Sequence, residues 1–309
     1  MRPVMPVLAT LMLFALFAPV APALPAEPLN NGMMFGGQWA EANNTSVSTT
    51  NLSDLPAVVE VYTATWCENC VDVEHALDDV LANGGNIQQY HVHRAIGETQ
   101  DPFGSEYIDA RWNSKYGGNA PPAVVFNGTM KKIGSVTDEA SLESEFSNIA
   151  SNDLQLGEGT TSFSWTPTST TNDQSGIVTW SLDIDAMHLE NSTLNVTAWV
   201  VEGHAEFDEG SNGLGTYPHI VRDIIALGDE LQGNTTIALP EPHDGNDLQI
   251  HLIYEIIPIP EEPDEPAESN ESEGDDSLPF LSPMAVIALL AVSALVHNNR
   301  LNRTIRQVR

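Results

Sequence analysis

Cys67 and Cys70 are the only two cysteines of this 309-residue chain. They stand where a strand-like run gives way to a helix-like one. Val58-Val59-Glu60-Val61-Tyr62-Thr63-Ala64-Thr65-Trp66 leads straight into Cys67-Glu68-Asn69-Cys70. Two thiols three positions apart at the start of a helix have the geometry of a reversible disulfide. The first turn of a helix leaves N–H groups unpaired and carries the positive end of the helix dipole, so a thiolate at Cys67 is stabilised there. Thiolates, not thiols, attack disulfides. The chemistry this implies is thiol–disulfide exchange, with Cys67 as nucleophile and Cys70 as resolving thiol. A permanent staple is the second reading, but a loop this short constrains the unfolded chain little. Metal binding through the pair plus His75, His91 or His93 is the third. His91 and His93 share a strand face, and His75 lies a little over one turn beyond Cys70. Without a second cysteine pair a closed zinc site is not indicated. The histidines therefore read as surface or packing residues, and no metal ligands or bound cofactor are expected.

The elements that must position the pair follow from local patterns. Residues 57–64 form an apolar strand candidate and 67–81 have helical spacing, stopped by Asn83-Gly84-Gly85. Residues 87–93 read as a strand and 105–116 as a helix ended by Gly117-Gly118. Residues 122–126 form a strand, and Asn127-Gly128 turns tightly into a further strand over 130–136. A helix over 138–150, N-capped by Thr137 or Asp138, completes a βαβαββα order.

That order, with Trp66-Cys67-x-x-Cys70 and Pro121-Pro122-Ala123-Val124-Val125-Phe126-Asn127-Gly128, resembles the thioredoxin-like family over residues 57–152. The resemblance implies an exposed Cys67, a buried Cys70, and a cis-proline at Pro122 lining a substrate groove with Trp66. Pro121 is the alternative cis residue. In the family the residue before the cis-proline pairs its backbone with an extended substrate. Pro121 lacks the N–H, so one such bond is lost. Thioredoxins proper also carry a buried acid six residues before the first cysteine. Val61 stands there, and Glu60 points to the other strand face. Glu68, beside Cys67, raises the thiol's pKa by like-charge repulsion, against the helix dipole.

Residues 158–258 change character. Strand-like runs at 161–165, 176–184, 193–202, 219–227, 235–239 and 248–257 alternate apolar and polar residues. This pattern predicts an all-β antiparallel, immunoglobulin-like sandwich. With Val200-Val201-Glu202 and Tyr217-Pro218-His219-Ile220-Val221-Arg222, this half is similar to the outer-membrane-protein-28-related family, which implies architecture more than activity. The expected fold class is thus an α/β thioredoxin-like domain, then a sandwich, then a C-terminal transmembrane helix. Arg222, alone among acids, reads as one half of a structural ion pair. The acidic loops at 206–213 and 240–247 lack EF-hand spacing and read as solvated turns.

The flanks suggest an address. Residues 1–26 read as a signal peptide, cleaved or retained as an anchor. Residues 27–56 form a polar, loosely ordered lead-in. Residues 259–278 are an acidic, Pro-rich stalk. Residues 279–296 are uncharged, long enough at about 1.5 Å per residue to span a bilayer, and followed by a basic tail at 297–309. This predicts a single-pass protein of the cell membrane with its bulk outside the cytoplasm; prokaryotic sorting signals that lose the anchor are the alternative. All 43 acidic residues lie between Glu27 and Asp276, against six of the 11 basic ones. A surface this acidic repels nucleic acid. Asn43, Asn44, Asn51, Asn127, Asn191, Asn195, Asn234 and Asn270 occupy glycosylation sequons. The expected partners are extracytoplasmic protein thiols and disulfides, an unidentified redox partner, and the membrane through the C-terminal helix. The competing class is a surface binding or adhesion protein on a redox-inert scaffold; a third is extracytoplasmic copper or zinc handling.

Overall fold

A run of β-branched and aromatic residues forms the strand that delivers the cysteines. In the computed structural model, which describes residues 23–260 except 98, 119, 153 and 169–173, this strand is β4 (Ala57–Thr63), buried along its whole length. Before it come β1 (Glu27–Pro28), β2 (Met33–Glu41) and β3 (Ser46–Asn51). After it come α1 (Glu68–Ala82), β5 (Ile87–His93), α2 (Glu106–Tyr116), β6 (Ala123–Phe126), β7 (Met130–Ile133) and α3 (Leu142–Ala150). Six further strands complete the described chain: β8 (Thr160–Pro167), β9 (Ser175–Asp183), β10 (Ser192–Glu206), β11 (Thr216–Gly228), β12 (Gln232–Ala238) and β13 (Leu248–Pro258).

The expected fold class needs correction. Strands dominate, and strands of both halves join one nine-stranded sheet in the order β1-β7-β6-β4-β5-β11-β10-β13-β2. An α/β thioredoxin-like domain followed by a separate sandwich is therefore not what the chain forms. The halves meet where β5 runs parallel to β11, with His91 opposite Ile220. Local pattern specifies each strand but not its neighbour, and the edges of β5 and β11 satisfy each other. The lead-in is corrected as well. β1 pairs with β7, β2 with β13 and β3 with β8. β3 is polar because its outward residues alternate with half-buried ones.

The sheet curls. Residues 29–32 alone connect β1, at one edge, to β2, at the other. At about 3.5 Å per residue that link spans under roughly 18 Å. The Met34 N–H donates to the Asn127 carbonyl at 2.8 Å. A bulge between Leu252 and Ile253 bends the β13–β2 pair. Gly36 faces it at φ +127°, where an added Cβ would stand 2.4 Å from the Leu252 oxygen, so only glycine fits.

One face of the curled sheet encloses α2. Ile108, Trp112 and Tyr116 pack there with Met34, Tyr62, Tyr90, Trp199 and Ile253. The other face carries α1 and α3 at one end, through Val61, Leu77 and Phe146. At the other end it carries the second sheet, β12-β9-β8-β3, through Phe163, Trp165, Val178 and Tyr254. α3 begins later than expected, capped by Ser141, whose hydroxyl accepts from the Ser144 N–H at 3.0 Å. Thr137 instead accepts from the Glu139 N–H in a turn of its own.

A buried carboxylate pins α2. Asp109 accepts from the Tyr62 hydroxyl at 2.8 Å, the Ala95 and Ile96 N–H groups at 2.9 and 2.6 Å, and the Asn113 amide at 2.8 Å. Removing the acceptor strands several buried donors. Asp109→Ala is expected to cost about 3 kcal/mol, read as a lowered urea midpoint. A change under about 1 kcal/mol would show that water replaces the carboxylate.

No helix among the described residues is long and apolar enough to cross a membrane. The expected single-pass anchor, and the localisation drawn from it, are not upheld. A hydropathy run shows length and polarity, not a helix. Residues 279–296 that prompted the expectation lie outside the described residues. So do residues 1–22 of the expected signal peptide, the basic tail and all of the stalk beyond Pro260.

Candidate functional site

Cys67 is the N-cap of α1, and no side chain caps that end of the helix. Within the first turn the Cys70 N–H donates back to the Cys67 carbonyl at 3.2 Å. The Cys67 N–H donates to the Ala64 carbonyl at 3.0 Å, closing the turn between β4 and α1. Cys67 and Cys70 form a disulfide, with Cα atoms 5.3 Å apart. The two sulfurs are not equivalent: Cys67 keeps 5% of its surface exposed and Cys70 none. Trp66 flanks the pair and is half-buried, with the Arg94 guanidinium 5.9 Å over its ring. Glu68 is exposed in the first turn of α1.

The peptide bond between Pro121 and Pro122 is cis. β6 runs antiparallel to β4 with Ala123 opposite Tyr62. That register puts Pro122 at the end of β4 from which the cysteine loop departs. Pro122 is buried and Pro121 half-buried. Chain pairing therefore brings Trp66, Cys67, Cys70 and the diproline to one end of the sheet, although 50 or more residues separate them in sequence.

Three groups join this end that local patterns did not assign to it. Val61 packs in the apolar cluster under α1, and Glu60, on the opposite face, pairs with Arg111 at 2.7 Å. The buried carboxylate of α1 is Glu74, one helical turn beyond Cys70 and 5% exposed. It accepts from the Thr63 hydroxyl at 2.6 Å. Burial pushes the Glu74 carboxyl up, against the opposing pull of Thr63 and His93. The spacing from Cys70 was visible in sequence, but not that helix face's burial. Asp101 accepts from His93 Nδ1 at 2.7 Å, from the Thr65 N–H at 2.8 Å and from the Phe103 N–H at 3.0 Å. The connection between β10 and β11 is the third. Its Asn212 N–H donates to the Thr65 carbonyl at 3.1 Å, as does the Tyr217 hydroxyl at 3.4 Å. The second half of the chain thus holds the cysteine loop from outside. No sequence signal reports such a contact.

The remaining residues singled out by sequence fall elsewhere. His75 is exposed on α1; His91 and His93 are buried. No group of three or more possible metal ligands occurs among the described residues. Arg222 lies 3.5 Å from the buried Glu202, which also accepts the His243 and Asp244 N–H groups and so anchors the 240–247 loop. Asn43, Asn44, Asn51, Asn191 and Asn234 are exposed and Asn195 is half-buried; Asn270 lies outside the described residues. Asn127 is not an accessible sequon. It is 5% exposed, and its side-chain oxygen accepts from the Val58 N–H at 2.8 Å.

No family model and no curated protein matches the chain. Among solved structures, HBP35 of Porphyromonas gingivalis matches with a TM-score of 0.48 at 19% identity, over 64% of this chain and 68% of that one. A likeness at that level carries no argument about activity.

Proposed function

We propose that this protein is a thiol–disulfide oxidoreductase acting on protein disulfides. The supporting observation is the asymmetry of the Cys67–Cys70 disulfide at the uncapped N-terminus of α1. Cys67 is 5% exposed and Cys70 not at all, so the exposed Cys67 that the resemblance implied is replaced by a nearly buried one that is still the more accessible of the two sulfurs. Such a pair attacks from one sulfur and resolves from the other. In the reduced enzyme the Cys67 thiolate breaks a substrate disulfide and forms a mixed disulfide, releasing one substrate thiolate. Cys70 then attacks the Cys67 sulfur, the enzyme disulfide forms, and the second substrate thiolate leaves. Two electrons pass to the substrate, and an external dithiol restores the enzyme. The resemblance of Trp66-Cys67-x-x-Cys70 and Pro122 to the thioredoxin-like family supports this reading, with Trp66, Pro121 and Pro122 as groove residues. Polypeptide thiols and disulfides are the proposed partners. The excess of acidic residues argues against nucleic acid.

The near-complete burial of Cys67 favours a second reading, a static disulfide in a binding scaffold. The reduction potential in defined thiol buffers separates the two. A value between roughly −120 and −270 mV is expected for an exchange catalyst, and one below about −300 mV marks a structural disulfide. Cys70→Ser is expected to accumulate a mixed disulfide between Cys67 and a disulfide-bonded peptide.

A further inference from the structure

Resolution of a mixed disulfide requires Cys70 to lose a proton where no water reaches it. Cys70 is fully buried, and only its thiolate attacks. The strand position six residues before Cys67 holds Val61, which cannot take a proton. What lies beneath α1 instead is a buried polar cluster drawn from four elements.

Glu74 lies one turn after Cys70 on the same helix face. Its carboxylate accepts the Thr63 hydroxyl at 2.6 Å. The parallel register of β4 and β5 sets Thr63 beside His93, and both side chains point to the α1 side of the sheet. His93 is 3% exposed, and its Nδ1 is held by Asp101 at 2.7 Å. Its other ring nitrogen, Nε2, is buried without a hydrogen-bond partner among the described residues. An orphaned polar atom in a buried histidine is costly and calls for an explanation. Asp101 in turn fixes the Thr65 N–H, two residues before Cys67. The dyad and the cysteine loop are thereby one unit.

We propose that Glu74, together with the His93–Asp101 pair, receives the proton that Cys70 loses when it resolves the mixed disulfide. This rests on the exchange reading above. The proton passes from the Cys70 thiol to the Glu74 carboxylate, with His93 held beside the cluster by Asp101. The Cys70 electron pair forms the bond to Cys67 sulfur as the bond from Cys67 to the substrate sulfur breaks. The substrate sulfur leaves as a thiolate, so the negative charge that Glu74 loses on protonation appears on the leaving sulfur, and charge and protons balance over the step. The groups facing Glu74 are Asp78 and His75 on its own helix, Thr63 on β4, His93 on β5 and Tyr217 on β11. Asp78 opposes ionisation of Glu74, while His75 and His93 favour it. Glu74 is the general base in this scheme, and His93, which acts only through it, is a positioning residue.

The test uses the full chain, reduced and loaded at Cys67 with a chromogenic aryl thiol as a mixed disulfide. Release of that thiol measures resolution by Cys70; loading measures attack by Cys67. Glu74→Gln keeps the acceptor for Thr63 but cannot take a proton. It is expected to slow release on the order of a hundredfold near pH 7, the lower end of what a positioned base contributes. The deficit should narrow above pH 9, where the Cys70 thiol ionises without help from Glu74, and loading should change less than about twofold. Glu74→Asp should recover part of the rate. His93→Gln should shift the pH profile of release without a matching effect on loading. Equal slowing of both steps at every pH in Glu74→Gln, or no slowing, overturns the relay while leaving exchange intact. A wild-type chain that cannot be loaded at Cys67 overturns the exchange reading, and the relay with it. If Glu74→Gln does not fold, the same comparison is made with His93→Gln.

Discussion

Arg111→Met is expected to lower the stability of the fold by about 3–5 kcal/mol, the cost of stranding a buried charge. Glu60 is fully buried in the middle of β4, and Arg111 reaches it from α2 at 2.7 Å. Tyr116 also donates to Glu60. Burial pushes the Glu60 carboxyl up, but Arg111 and Lys115 outweigh it and hold the carboxyl below its ordinary value. The same guanidinium packs 4.8 Å over the Trp199 ring of β10, and Lys115 reaches Glu255 of β13 at 2.5 Å. One helix thus ties strands from both halves through two ion pairs. Methionine keeps the length and the contact with Trp199 but leaves Glu60 without its cation. Glu60→Met combined with Arg111→Met should recover most of the loss. The recovery stays incomplete because the Tyr116 hydroxyl then keeps only the weaker Met34 sulfur, at 3.4 Å, as acceptor, a loss of roughly 1 kcal/mol. Urea unfolding of the wild type, both single variants and the double variant gives the coupling directly. Additive single-variant losses would show that the pair contributes nothing as a pair.

Acidification from pH 7 to pH 5 is expected to destabilise the fold, with His251 alone contributing about 2 kcal/mol. His251 is fully buried between Tyr90, Trp39 and Gln249. Its contacts fit a neutral ring. The Tyr90 hydroxyl donates to Nδ1 at 3.2 Å, and Nε2 donates to the Gln249 side-chain oxygen at 3.0 Å. Burial, with a smaller push from His219, lowers its pKa from 6.5 to about 3. The folded value is depressed, so the unfolded chain binds the proton first. Stability is full above pH 6.5 and falls steadily as pH drops toward 3. His91 and His219 are lowered as well, both chiefly by burial, and add in the same direction. They lie at the β5–β11 seam, with ring centroids 5.5 Å apart. Glu74 opposes this trend: its carboxyl is raised, so its contribution grows as pH falls through the folded value toward 4.5. One acid does not offset three histidines. His251→Gln, which cannot charge, should flatten the pH dependence of the urea midpoint by about 2 kcal/mol between pH 7 and 5. An unchanged slope would remove His251 as the cause.

Local chemistry was legible in the sequence. The Cys-x-x-Cys pair, its strand and its helix follow from a β-branched run, helical spacing and a Gly-Gly stop. The six later strands follow from alternation of apolar and polar residues, as in the Val178, Trp180 and Leu182 face of β9. Glu60 faces away from the cysteine side because successive residues on a strand alternate. Asn127 shows the limit of such reasoning. Its sequon is a surface pattern, yet its left-handed backbone (φ 51°) and its bond to Val58 make it a turn residue inside the fold.

What the sequence by itself determined is the type and order of most elements and the identity of the sulfur pair, since both are written in neighbours a few residues apart. Tertiary structure alone decided that both halves share a sheet, that the polar lead-in supplies its two edges, and that Asn212 and Tyr217 hold the cysteine loop. It also joined Glu74 to Thr63 and His93 to Asp101, and tied Asp101 to the Thr65 N–H of the cysteine loop. Those outcomes depend on which strand edges find each other and which helix face is covered. These are contacts between residues far apart in the chain, and no local periodicity encodes them.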